Sequence, residues 1–153
     1  MPQLELRLPP PLIAVLTGLL MWISANWFAQ PGFNDLTANV LGYGFCAIGA
    51  LLLVPSILSF RTFTTTINPT RPEQSSQLIT TGVFGISRNP IYLGMLLLLI
   101  GWWFWVSNLI SLLLVVVFFA YMTRFQIIPE ERALQSIFGE RFASYRKRVR
   151  RWI

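Results

Sequence analysis

Charged and hydrogen-bonding side chains gather where two long apolar runs begin and end. In Gly82-Val-Phe-Gly-Ile-Ser-Arg-Asn-Pro-Ile-Tyr-Leu-Gly94 a polar loop gives way to an apolar helix. Arg88 supplies a cation, Asn89 a helix cap, Pro90 a first helical residue and Tyr92 a hydroxyl. Free N–H groups at such a helix start, beside Arg88, can bind a carboxylate or phosphate. Arg124 closes the other run, and Glu130-Glu131 follow it by about one and a half helical turns. The two acids can bind an ammonium, hydroxyls or a sulfonium. Together the two places suit a zwitterionic ligand. The plainer reading stays open: Arg88 snorkels from a capped helix, and the acids pair with nearby arginines.

The elements that position these residues are apolar helices. Four candidate spans are expected at about 12–29, 40–60, 91–106 and 109–125, each near the roughly 20 residues needed to cross a bilayer. Pro55 is expected to kink the second near its end. Only Ser107 and Asn108 separate the last two, which implies a tight antiparallel hairpin. That hairpin brings Arg88, Asn89 and Tyr92 to the same depth as Arg124. The third span is short and should pack obliquely or sit within protein. Gly42, Cys46 and Ala50 recur every four residues, as do Tyr43, Ala47 and Leu51, and the small ones permit close helix contact. Trp22, Trp27, Trp102, Trp103 and Trp105 suit interfacial belts. The first span lacks the small residues of a cleavage site at Trp27 and Phe28, so it is expected to be retained.

Composition agrees. Of 153 residues, 54% are hydrophobic and 12% charged, against about 25% charged in soluble domains. The expected fold is therefore all-α, a single polytopic membrane domain over 1–153 with a cytoplasmic amphipathic C-terminal helix. No histidine is present, which excludes histidine metal ligands, a Ser-His-Asp triad and a histidine base. Cys46 is the only cysteine, so there is neither a disulfide nor a thiolate metal cluster, and the apolar run around it suits packing. The net charge is +6, and seven of the basic residues lie in the final twenty-two. Anionic lipid head groups are the expected partner of that tail, rather than nucleic acid. With four spans every Lys and Arg falls on one side, which places both termini in the cytoplasm, at the inner membrane if the source is bacterial.

The cytoplasmic loop 61–89 is long and rich in Thr, Ser and Pro; Leu78-Ile79 and Val83-Phe84 are expected to anchor it to the membrane face. In the tail, 126–153, Pro129 fits a first helical position, and the acids after it suit the helix dipole. Leu134, Ile137, Phe138, Phe142, Tyr145, Val149 and Trp152 recur at three or four residues, an amphipathic pattern that Gly139 is expected to split.

The segment Leu78–Gly94 resembles the first signature of the isoprenylcysteine carboxyl methyltransferase and phospholipid methyltransferase superfamily. Ile128-Pro-Glu-Glu-Arg-Ala-Leu134 resembles its second. Phe138-Gly-Glu-Arg-Phe-Ala-Ser-Tyr145 with Val149-Arg-Arg-Trp152 resembles its C-terminal signature. The three occur in order and cover roughly residues 60–153. The resemblance implies an integral membrane methyltransferase using S-adenosylmethionine, in a pocket made by loop, hairpin and tail. It assigns Gly82, Arg88, Asn89, Pro90, Tyr92, Gly94, Glu130 and Glu131 to the cofactor. It offers Arg124, Tyr145 and Glu131 for catalysis, and Arg148 as a weaker contact. Two positions depart from the pattern. Eukaryotic carboxyl methyltransferases have histidine where Asn89 stands, while many bacterial relatives have asparagine. Val83-Phe84-Gly85 replaces the commoner Pro-Tyr-Arg and removes one cation.

A carboxylate acceptor is ionised at neutral pH and needs no base, whereas an amine or thiol does better with one. The lack of histidine thus favours a lipophilic carboxylate of isoprenylcysteine type, drawn from the bilayer. A phospholipid or other lipid amine or thiol is the alternative. A reductase resembling the sterol reductases, with NADPH at a similar Arg-Asn-Pro-x-Tyr segment, and a non-catalytic scaffold are the rivals from other classes. The sequence leaves the oligomeric state open.

Overall fold

The computed structural model describes residues 5–6, 8–28, 32–62 and 77–153. Helix α1 (Pro10–Trp27) opens on two prolines, whose fixed φ suits a first turn. Helix α2 (Asp35–Thr62) starts where the Asn34 side chain accepts the Thr37 N–H at 2.9 Å. It begins five residues before the expected Val40 and continues through Pro55 to Thr62. Helices α3 (Pro90–Val106) and α4 (Leu109–Tyr121) follow, then α5 (Ile128–Phe138) and α6 (Glu140–Arg148). No strand occurs among the described residues. Residues 63–76, most of the expected cytoplasmic loop, lie outside the described residues.

Three helical stretches are long and apolar enough to cross a membrane: Pro10–Trp27, Asp35–Ser59 and Leu109–Phe138. Helix α3 is apolar but has 17 residues, about 26 Å against a hydrocarbon core of about 30 Å. It sits within protein, as its length suggests, with Leu93, Gly94, Met95, Leu99 and Gly101 buried. The outer faces of the other helices stay apolar: Val15, Leu36 and Leu51 are 68%, 75% and 70% exposed. Such a continuous apolar exterior fits lipid rather than water.

Small residues set the α2–α3 contact. A Cβ on Gly94 would come 2.8 Å from the Gly49 carbonyl oxygen, and one on Gly101 2.6 Å from Cys46 Sγ. The contacting stripe is Gly42, Cys46 and Gly49, while Ala50 is exposed. At 3.6 residues per turn, steps of four and three keep one face better than steps of four alone. In the hairpin turn, Ser107 adopts a left-handed conformation (φ 50) and Asn108 caps α4 by accepting the Ser111 N–H at 2.7 Å. Ser24 of α1 closes this corner with a 2.9 Å contact to the Ser111 hydroxyl. The core is Met21, Tyr92, Met95, Leu99, Val115, Phe118, Met122 and Ile127, with Trp152 of the tail against it.

The tail differs from expectation at its start. Pro129 does not open a separate helix, because a π-helical stretch, Met122–Ile127, joins α4 to α5 without a break. A proline in the first turn after a wide turn loses no ladder bond that its missing N–H would have made. The continuous run from Leu109 to Phe138 has 30 residues, about 45 Å. This exceeds the hydrocarbon thickness, so its charged end, α5, stands outside. Gly139, at φ 50, separates α5 from α6 as expected.

Candidate functional site

Arg88 is the hub. Its side chain is only 9% exposed, and its Nη2 meets Glu131 Oε1 at 2.6 Å. Its Nη1 donates to the carbonyls of Arg146 (3.1 Å) and Val149 (3.0 Å), and its backbone N–H to that of Arg150 (3.0 Å). Nε is buried without a hydrogen-bond partner among the described residues. Arg151 grips Glu131 from the other side, Nη2 to Oε2 at 2.7 Å and Nε to Oε1 at 3.1 Å. Burial alone would raise the Glu131 carboxyl; the hydrogen bonds and charges of Arg151 and Arg88 outweigh it and hold it below the usual range.

Glu130 has a different environment. Its Oε1 accepts the Tyr92 hydroxyl at 3.2 Å. Desolvation pushes its carboxyl up to about 8, partly opposed by the Tyr92 hydrogen bond and reinforced by the charge of Glu131. The two adjacent acids therefore differ: Glu131 is a paired anion, and Glu130 a carboxyl poised near neutrality. The hairpin accounts for the meeting, since it sets the start of α3 beside the end of α4, and the continuous helix carries both glutamates to that point.

Asn89 stands at the N-cap position but does not cap. Its Nδ2 donates to the Arg151 carbonyl at 2.9 Å, and the Ser87 hydroxyl accepts the Asn89 N–H at 3.1 Å. The tail thus takes the place of the expected cap. Pro90 is buried at the first helical position. Ile79 and Phe84 are buried, in keeping with their expected role as anchors of the loop.

Four expected site residues lie apart from the acid pair. Arg124 is half-exposed and pairs with Glu5 at 2.8 Å, which also binds Arg132. Gly82 is an exposed turn residue at φ 61. Gly94 faces α2, where close helix approach accounts for it. Arg148 is exposed and lines an open groove of about 420 Å³ with Thr80, Arg141 and Ser144.

Tyr145 lies behind Arg88. Its hydroxyl donates to the Phe84 carbonyl at 2.7 Å. Burial pushes it up to about 12, with the Arg88 charge opposing, so it is a donor rather than a base at neutral pH. Tyr145→Phe is expected to lower stability by about 1–2 kcal/mol, read as a fall in the thermal midpoint of the detergent-solubilised protein.

Arg151 is the site member that spacing did not reveal. Twenty residues separate it from Glu131, and only the folding back of the tail joins them. The one available signal was its place in a tail motif.

Residues 37–141 match the phospholipid methyltransferase family. An uncharacterized protein of Haemophilus influenzae is 40% identical over 63 residues, 41% of this chain and the whole of that protein. No solved structure matches the chain. The family match takes in the helical hairpin, the Arg88–Tyr92 segment and both glutamates across well over half of the sequence, and the protein belongs to the phospholipid methyltransferase family, within the superfamily that includes the isoprenylcysteine enzymes.

Proposed function

We propose that the protein transfers a methyl group from S-adenosylmethionine to a lipophilic acceptor reached from the bilayer, with an isoprenylcysteine-type carboxylate as first choice. The observation that carries this reading is the meeting of Arg88, Tyr92, Glu130 and Glu131 at the mouth of the hairpin. The residues fit a zwitterionic cofactor on two counts. Arg88 Nε, buried and without a hydrogen-bond partner among the described residues, and the first-turn N–H groups of α3 suit its carboxylate. Glu130, which accepts a hydrogen bond from the neutral Tyr92 hydroxyl, suits its ammonium or sulfonium. When bound, the cofactor supplies an electrophilic methyl group on sulfur.

The chain's own part is alignment and charge. Fixing two reactants in register contributes about 7–11 kcal/mol in favourable cases. Tyr92 orients the Glu130 carboxyl by its hydrogen bond. Glu131, held by two guanidinium groups, adds a fixed negative field beside it. A carboxylate acceptor needs nothing further, since it is already ionised.

A second acceptor class, a lipid amine, is favoured by one observation: a carboxyl near 8 beside the site, ionised at and above that pH, can then take a proton from the amine. Labelled-methyl transfer separates the two, with a prenylcysteine in one arm and phosphatidylethanolamine vesicles in the other. Label in neither arm, and no binding of S-adenosylmethionine by calorimetry, would sink the reading. NADPH binding would point to the reductase, and binding of neither to the scaffold. Both cytoplasmic termini belong to this proposal, because the reacting face must meet a soluble cofactor.

The pH dependence is a further check. Below about 8 Glu130 is neutral and above it anionic, and a cationic ligand binds the anion. Affinity for S-adenosylmethionine is therefore expected to rise as pH rises toward about 8, by up to roughly tenfold per unit, and then to level off. Glu130→Gln should flatten that slope in calorimetric titrations.

A further inference from the structure

Glu131 is the only acid that two arginines share in a buried setting among the described residues, and its second partner comes from the far end of the chain. The segment Arg146–Trp152 is held at five of its residues. Its carbonyls at 146, 149, 150 and 151 accept from Arg88 or Asn89. Trp152 Nε1 donates to Thr123 Oγ1 at 3.2 Å, and its ring packs 4.9 Å from that of Phe119. Most of these bonds use main-chain atoms and do not depend on which side chain stands at 151. The grip on Glu131 does.

We propose that Arg151 is a positioning residue for the acid pair: by holding both oxygens of Glu131 it fixes that carboxylate against the tail and leaves Glu130 as the acid that receives a cationic ligand. This rests on the methyltransferase reading for its ligand, though not for its geometry. Without Arg151, Glu131 keeps one partner, gains freedom to turn, and competes with Glu130 for the cation. The groups facing Glu131 are Arg88 before α3, Arg151 in the tail and Glu130 beside it, with Tyr92 of α3 and Tyr145 of α6 one contact further away. Of these, Arg151 and Arg88 keep it ionised, so removing Arg151 moves its protonation toward neutral pH.

The test compares wild type with Arg151→Met, Arg151→Lys and Glu131→Gln in the full-length protein in nanodiscs, with Arg132→Met as a control outside the site. Hydrogen exchange of the Arg88 amide, which is bonded to the Arg150 carbonyl, reports the tail clamp without any cofactor. It should quicken at least roughly tenfold, about 1.4 kcal/mol, in Arg151→Met and Glu131→Gln. In Arg132→Met it should stay near wild type, and in Arg151→Lys, which keeps the charge but loses the two-oxygen grip, it should quicken less than in Arg151→Met. Calorimetry with S-adenosylmethionine should show about tenfold weaker binding in Arg151→Met, with an added loss toward acid pH below the Glu130 step; a purely structural loss would lower affinity equally at every pH.

Arg88 exchange unchanged in both Arg151→Met and Glu131→Gln would overturn the proposal, as would Arg132→Met quickening it as much as Arg151→Met. If Arg151→Met does not purify, Glu131→Gln and Arg151→Lys decide the same comparison. If wild-type protein binds no S-adenosylmethionine, the proposed function fails, while the exchange data still decide the role of Arg151.

Discussion

Arg88→Met is expected to lower stability by about 3 kcal/mol, the low end of the range for removing one partner of a buried ion pair. The low end applies because Glu131 keeps Arg151. The substitution removes the 2.6 Å pair with Glu131 and both bonds from Nη1 to tail carbonyls, while the backbone bond to Arg150 stays. Two tail carbonyls then have to find other donors, and each buried acceptor left alone costs about 1–3 kcal/mol. Affinity for S-adenosylmethionine should fall at least roughly tenfold, about 1.4 kcal/mol, since both the Nε donor and the tail wall are lost. Thermal unfolding and calorimetry on the same preparation separate these effects. A lower midpoint with unchanged affinity would make Arg88 a clamp for the tail and remove it from the cofactor site.

Gly94→Val should prevent α2 and α3 from docking. The first added carbon already lies 2.8 Å from the Gly49 carbonyl oxygen, 3.0 Å from Leu53 Cβ and 3.2 Å from Leu53 N. Two of these are backbone atoms, which cannot swing aside as a side chain does. The facing residue is itself a glycine, so no smaller neighbour can compensate. Overpacking of well-filled cores costs about 1–3 kcal/mol and sometimes more, and the branched valine belongs at the upper end. Gly44→Ala is the comparison: it lies in α2, the helix that α3 packs against, nothing approaches its added carbon within 4 Å, and alanine favours a helix by about 1 kcal/mol. Size-exclusion profiles and thermal midpoints should show Gly94→Val aggregated or much less stable, and Gly44→Ala unchanged or slightly better. A Gly94→Val midpoint within about 2 °C of wild type would contradict the close approach.

Much of this architecture can be read from residue order because the bilayer and helix periodicity leave few choices. The hairpin follows from two apolar runs separated by two polar residues. The split of the tail at Gly139 follows from the one residue type that readily takes a positive φ. The meeting of Arg88 with Glu131 was within reach, since charges at a common membrane depth on adjacent helices have few other partners. The division of labour between Glu130 and Glu131 was not, because it depends on a tail that folds back over the helix start. For the same reason Asn89 reads as a cap and acts as a tail tether. Arg124 lies inside the π-helical stretch, where 3.6-residue periodicity no longer tells which face a side chain takes, and it pairs there with Glu5.

That stretch also governs the clocking of everything beyond it. Each residue of an α-helix turns the chain by about 100°, and a wide turn absorbs an extra residue without advancing the face. Were the same residues wound as a regular α-helix, α5 would be rotated by roughly 100° about its own axis, and Glu130 would point away from Tyr92. The acids are aimed by an irregularity whose own backbone carries no charge. In that stretch the winding of the backbone, rather than any one side chain, sets the direction the acids take.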